Sequence, residues 1–179
     1  MQENRVRVAK YGILTPKDPR AVAVPSIPGK TCKLHYLAAD ALARMSAACE
    51  RDTGIPLLLA SGIRPRRWTS RGQYEDYLIL NYAYLVKDET FTTESARRAA
   101  IIEKGDDYIA YNTGHQTGLC VDFGSGGLEP RVSTIKKQRE TVVYKWLCAH
   151  AHEYGFTPYI KEPWHWEYNI SKTDWERLP

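Results

Sequence analysis

The chain predicts an α+β fold, a small antiparallel sheet with helices packed on it, and three observations carry that expectation. Two stretches, Leu37–Cys49 and Glu140–Tyr154, repeat apolar residues at helical spacing. Four short runs, Ile55–Ala60, Gly118–Phe123, Phe156–Ile160 and Trp164–Tyr168, have the length of strands and are bounded by Gly, Pro or Ser. At 179 residues the chain suits one domain, 1–179, large enough to bury a core without disulfide staples.

Arg5–Ala9 alternates polar and apolar residues and is expected as a short edge strand. Residues 1–36 are expected as an irregular arm, because Pro16, Pro19, Pro25 and Pro28 punctuate them. Leu37, Ala41, Leu42, Met45, Ala48 and Cys49 mark one face of the first helix, and Gly54 stands where it would stop. Ile55–Ala60 then reads as a buried strand that ends in Ser61-Gly62 and delivers Arg64 to a site at its end. Arg66, Arg67 and Arg71 read as a solvated face.

Thr69 or Ser70 caps a helix expected to run through Leu85, and Thr93–Glu103 reads as another that ends before Gly105. On the strand Gly118–Phe123, alternation sends Cys120 and Asp122 to one side and Leu119, Val121 and Phe123 to the other. Gly124–Pro130 is a loop, and Gly155 ends the helix that begins near Glu140. His150 and His152 lie on that helix two residues apart, so they point to different faces and cannot share one ion. The last two strands are joined through Lys161-Glu-Pro, with Trp164, Trp166 and Tyr168 facing one way and His165 and Glu167 the other. Trp164 and the other aromatics of that face either wall a substrate pocket, with Trp164 as a substrate-binding candidate, or fill the core.

Composition excludes several classes. A net charge of +4 without a long basic run or a recognisable motif makes nucleic acid a poor partner. The N-terminus lacks the apolar core of a secretory signal, and no run reaches the length of a membrane span. The expectation is a chain that is cytoplasmic as synthesised and either works in the cytosol or is released to act on the cell wall, by phage-type lysis or another route, unless a leader was trimmed from it. Four cysteines without Cys-x-x-Cys spacing are expected as free thiols and argue against a thiolate metal site.

The chemistry concentrates in Thr113-Gly-His-Gln-Thr-Gly-Leu-Cys-Val-Asp122 and Glu162-Pro-Trp-His165. Two imidazoles and a carboxylate, His115, His165 and Asp122, form a usual protein set for one catalytic zinc, because three ligands leave a fourth position for water. The metal brings the pKa of that water to about 7. A second carboxylate must move its proton, and Glu162 is the candidate.

These segments resemble the zinc D,D-peptidases of the VanY, VanX and Hedgehog-like group, whose pattern is Ser-x-His-x-x-Gly-x-x-x-Asp followed by Glu-x-x-His. Thr113 stands for the usual Ser and Cys120 for a common Ala, and Ser61-Gly-Ile-Arg64 is similar to the group's Ser-Gly-Tyr-Arg. The likeness covers about Leu57 to Tyr168 and implies a Hedgehog/D,D-peptidase fold. It further implies zinc on His115, Asp122 and His165, Glu162 as base, Arg64 against the oxyanion, and Thr113 and Gln73 as substrate-binding residues. Gln73 lies further from Arg64 than in the group, and residues 86–112 stand as an insertion, a lid or a wall. The Glu-Pro-Trp-His form resembles the carboxypeptidase branch, which implies a monomer acting on the D-Ala-D-Ala end of peptidoglycan stem peptides. Two other peptidase readings stay open, a phage-type endopeptidase cutting another stem-peptide bond, L-alanyl-D-glutamate among them, and a cytosolic D-Ala-D-Ala dipeptidase. A non-catalytic zinc or wall-binding domain is a third.

Overall fold

The expected strands and helices form in large part in the computed structural model, which describes residues 6–179; Arg5 and the first residues of the segment read as lacking a signal lie outside it. The described chain makes two compact units, one running up to Pro65 and resuming at Gly114–Pro179, the other Arg66–Thr113.

In the first unit Val8–Tyr11 (α1) is a single helical turn, which corrects the expected edge strand. Four residues of alternation are too few to separate a strand from a turn whose Tyr11 packs inward. The proline-rich arm is not irregular throughout, because Ala21–Val24 (β1) and Cys32–His35 (β2) pair as an antiparallel hairpin. The prolines sit outside both strands, where no ladder N–H is needed.

Tyr36–Thr53 (α2) buries Ala38, Ala41, Leu42, Met45, Ala48 and Cys49 and closes on Gly54. Its N-cap is His35, whose Nδ1 accepts from the Leu37 N–H while Nε2 meets the Trp175 carbonyl. Leu59–Ser61 (β3), Cys120–Phe123 (β4), Phe156–Pro158 (β5) and His165–Tyr168 (β6) form an antiparallel sheet of order β3-β4-β6-β5. β3 is shorter than the apolar run that announced it, since residues 55–58 do not join the ladder.

Leu59, Val121, Phe123 and Trp166 pack into one core with the inner face of α2. Each such side chain contributes about 1.5–3 kcal/mol on burial. Val142–His150 (α6) is capped by the Thr141 hydroxyl, continues as a tighter turn over Ala151–Tyr154, and adds Val143, Trp146 and Leu147 to that core. Ile135–Arg139 (α5) and Lys172–Glu176 (α7) complete the unit.

The second unit holds Arg71–Tyr82 (α3) and Glu94–Asp106 (α4), capped by Ser70 and Thr93. Its own small core is Trp68, Tyr74 and Leu78. α4 runs past the expected stop because Gly105 lies beneath Leu78, where a side chain would crowd it. Among the described residues no helix is long and apolar enough to cross a membrane.

Candidate metal centre

Antiparallel pairing sets Asp122 opposite His165 and Cys120 opposite Glu167 on the two inner strands of the sheet. Because residues two apart on a strand share a face, those four side chains form one polar patch. All four are buried. His115 reaches the patch from the tight turn Gly114–Thr117 just before β4. That approach needs Gly114, since a Cβ there would stand 2.4 Å from the Cys120 sulfur and 3.0 Å from the Val6 carbonyl oxygen.

The donor atoms converge. His115 Nε2 is 3.1 Å from Asp122 Oδ1 and 3.2 Å from His165 Nδ1, and the third edge, His165 Nδ1 to Asp122 Oδ1, is 2.9 Å. Tetrahedral bonds of ~2.0 Å to one ion place ligand atoms ~3.3 Å apart, so the triangle is the right size for a metal.

The partners behind the rings decide which nitrogen is bare. His115 Nδ1 lies 2.8 Å from the Gly62 carbonyl, which can only accept, so Nδ1 carries the hydrogen and Nε2 offers its lone pair to the centre. His165 Nε2 lies 3.4 Å from Glu167 Oε1, a long but charge-assisted contact that orients its Nδ1 the same way. Two imidazole nitrogens and a carboxylate oxygen therefore meet at one point.

Electrostatics agree with this arrangement. Burial lowers the His115 ring below its ordinary range and keeps it neutral. Burial also works against charge on Asp122 and His165 but is outweighed in both. His115 and His165 hold the Asp122 carboxyl well below the usual carboxylate range, while Asp122, Cys120 and Glu167 carry His165 well above that of a free histidine. Cys120, His165 and Glu167 also lie close enough to hold an ion. Burial pushes the Cys120 thiol up to about 11.

Arg64 stands at the rim. Its backbone N–H donates to the His115 carbonyl at 3.3 Å, and its half-exposed guanidinium lies 3.4 Å from Asp122 Oδ2. Glu162, half-buried, belongs to the turn between β5 and β6, and its backbone carbonyl accepts the His165 N–H at 2.9 Å. Trp164 is 4% exposed and its carbonyl accepts from the Phe123 N–H. Thr113, two residues before His115, has a buried hydroxyl that meets no hydrogen-bond partner among the described residues. Gln73 is occupied locally, its Oε1 accepting from the backbone and hydroxyl of Thr69 at the start of α3. His150 pairs with Glu153 and packs on Trp146, apart from the metal set.

Sequence reasoning did not single out Gly62, Glu167 or Val6 as parts of the site. Alternation had placed Glu167 on the face of His165, which was the available signal; a backbone carbonyl and a backbone N–H leave no trace in residue types.

A family model described as D-alanyl-D-alanine carboxypeptidase, VanY, matches residues 31–171. Comparison with curated proteins returned no match.

Proposed function

The chain belongs to the VanY family of D-alanyl-D-alanine carboxypeptidases, and on that premise we propose that it is a zinc peptidase releasing the terminal D-alanine of peptidoglycan stem peptides. The observation that carries the reading is the convergence of three buried lone pairs whose orientation is set by the Gly62 carbonyl and the Glu167 carboxylate. Two nitrogens and one oxygen are a donor set that suits zinc and leave a fourth position open.

His115, Asp122 and His165 would hold the ion, which supplies Lewis acidity and brings the pKa of a water to about 7. Glu162 takes the proton of the attacking water and returns it to the leaving amine of D-alanine. Arg64 donates to the carbonyl oxygen as negative charge develops there, a task its planar fork suits. The unpartnered Thr113 hydroxyl takes a hydrogen bond with the substrate backbone.

Glu162→Gln separates this enzyme from a metal-bound scaffold. The variant should keep one zinc per chain and lose activity by about 10²–10⁴-fold on a stem pentapeptide ending in D-Ala-D-Ala. Full activity in that variant would refute the assignment. If the wild-type chain yields fragments other than free D-alanine by mass, the activity is that of an endopeptidase.

A further inference from the structure

Glu167 is the least expected residue of the centre. It is 4% exposed, and a carboxylate out of water is costly unless its oxygens are partnered. Among the described residues its one ion-pair partner is His165, through Oε1 at 3.4 Å, and no Lys or Arg reaches it. The other oxygen, Oε2, accepts the backbone N–H of Val6 at 2.5 Å. Val6 is itself buried, and its carbonyl lies against Gly114, the residue before His115. The amino-terminal segment thus touches the supports of two ligands that are 50 residues apart in the chain.

We propose that Glu167 is a positioning residue for the metal and that the Val6 N–H holds Glu167 in place, so that the docked amino-terminal segment sets metal affinity. The inference rests on the metal reading above. A carboxylate that accepts Nε2–H fixes the imidazole ring and makes Nδ1 a better donor, and such outer partners are worth about 10–100-fold in metal affinity. Glutamine cannot replace it fully, because its amide offers one acceptor oxygen for two donors. Proline at position 6 removes the N–H and leaves the charge of the patch unchanged.

The test is a zinc competition titration against a chromophoric chelator on the full chain, with wild type, Glu167→Gln, Val6→Pro and the double variant. Glu167→Gln should bind zinc about 10–100-fold more weakly and shift the visible spectrum of the cobalt-loaded protein. Val6→Pro should weaken binding in the same direction, and the double variant should be no worse than Glu167→Gln, since both act through one hydrogen-bonded chain. Wild-type affinity in both single variants would overturn the inference even if their melting temperatures fell, as would multiplying effects in the double. Should Glu167→Gln fail to fold, Val6→Pro decides alone. A wild-type chain that takes up no zinc would instead sink the metal reading, and this inference with it.

Discussion

Replacing Arg64 by methionine or lysine separates what the guanidinium does for the fold from what it does for the reaction. Its side chain is 52% exposed and stands 3.4 Å from Asp122 Oδ2. Two unit charges at that distance attract by about 1 kcal/mol in watery surroundings, and exposed pairs net about 0–1 kcal/mol once the ordering of the side chain is subtracted. For a chain of this size that is a melting shift of about 4 °C or less. A hydrogen bond aimed at a developing oxyanion is worth far more, about 2.7–4 kcal/mol or 10²–10³ in kcat. Arg64→Met should therefore melt within a few degrees of wild type, keep its zinc, and release D-alanine about 10²–10³-fold more slowly. Arg64→Lys should recover only part of that rate, because a point charge cannot reproduce the fork. The checks are steady-state D-alanine release, metal content and a thermal melt on the same preparations. A rate within about fivefold of wild type, or a loss of zinc in step with the loss of rate, would refute the role assigned to Arg64.

Two further substitutions probe the frame around the centre. In Gly62→Ala the new Cβ would stand 2.4 Å from the Lys33 carbonyl oxygen, main chain that cannot swing away, so a cost of about 1–3 kcal/mol and a melting point lower by about 2–12 °C are expected. Because the Gly62 carbonyl orients His115, zinc affinity in competition titration should fall too; an unchanged melt would show that the hairpin gives way easily. Asp18 grips Arg20 through two hydrogen bonds of 2.7 and 2.9 Å, and chiefly for that reason its carboxyl is lowered from 3.8 to about 2 in the folded protein. A lowered folded value stabilises the protein above the unfolded value, and the gain is lost as pH falls through the folded one. Asp18→Asn should thus lower the melting temperature by about 2–4 °C at pH 7 and by almost nothing near pH 2. An equal shift at both pH values would refute the account.

That His115, Asp122 and His165 would converge was legible because their spacing is a consequence of the strands that carry them. Asp122 and His165 sit on runs whose alternation fixed their faces, and pairing of those runs brings the faces together. Arg64 followed for the same reason, as the continuation of a strand ending in Ser-Gly. The amino-terminal hairpin was hidden by its surroundings, since strands of four residues between prolines look like loop to any periodic reading. Gln73, which the resemblance offered as a substrate-binding residue further from Arg64 than usual, has its Oε1 held by the Thr69 N–H and hydroxyl at its own helix start. Glu167 lay in plain view yet carried no weight, because a lone carboxylate on a strand gains meaning only when a second segment, here Val6, closes over it.

β4 and β6 each have a neighbouring strand on both sides, so the platform beneath Asp122 and His165 is fastened along both flanks. On the proposed metal reading, a seat fastened in this way would choose its occupant by size and coordination number. Calcium, which wants six to eight oxygens in a wide flexible shell, finds two nitrogens on a triangle about 3 Å across. On the proposed zinc reading, a small ion content with few, nitrogen-rich contacts would fit without asking the sheet to move.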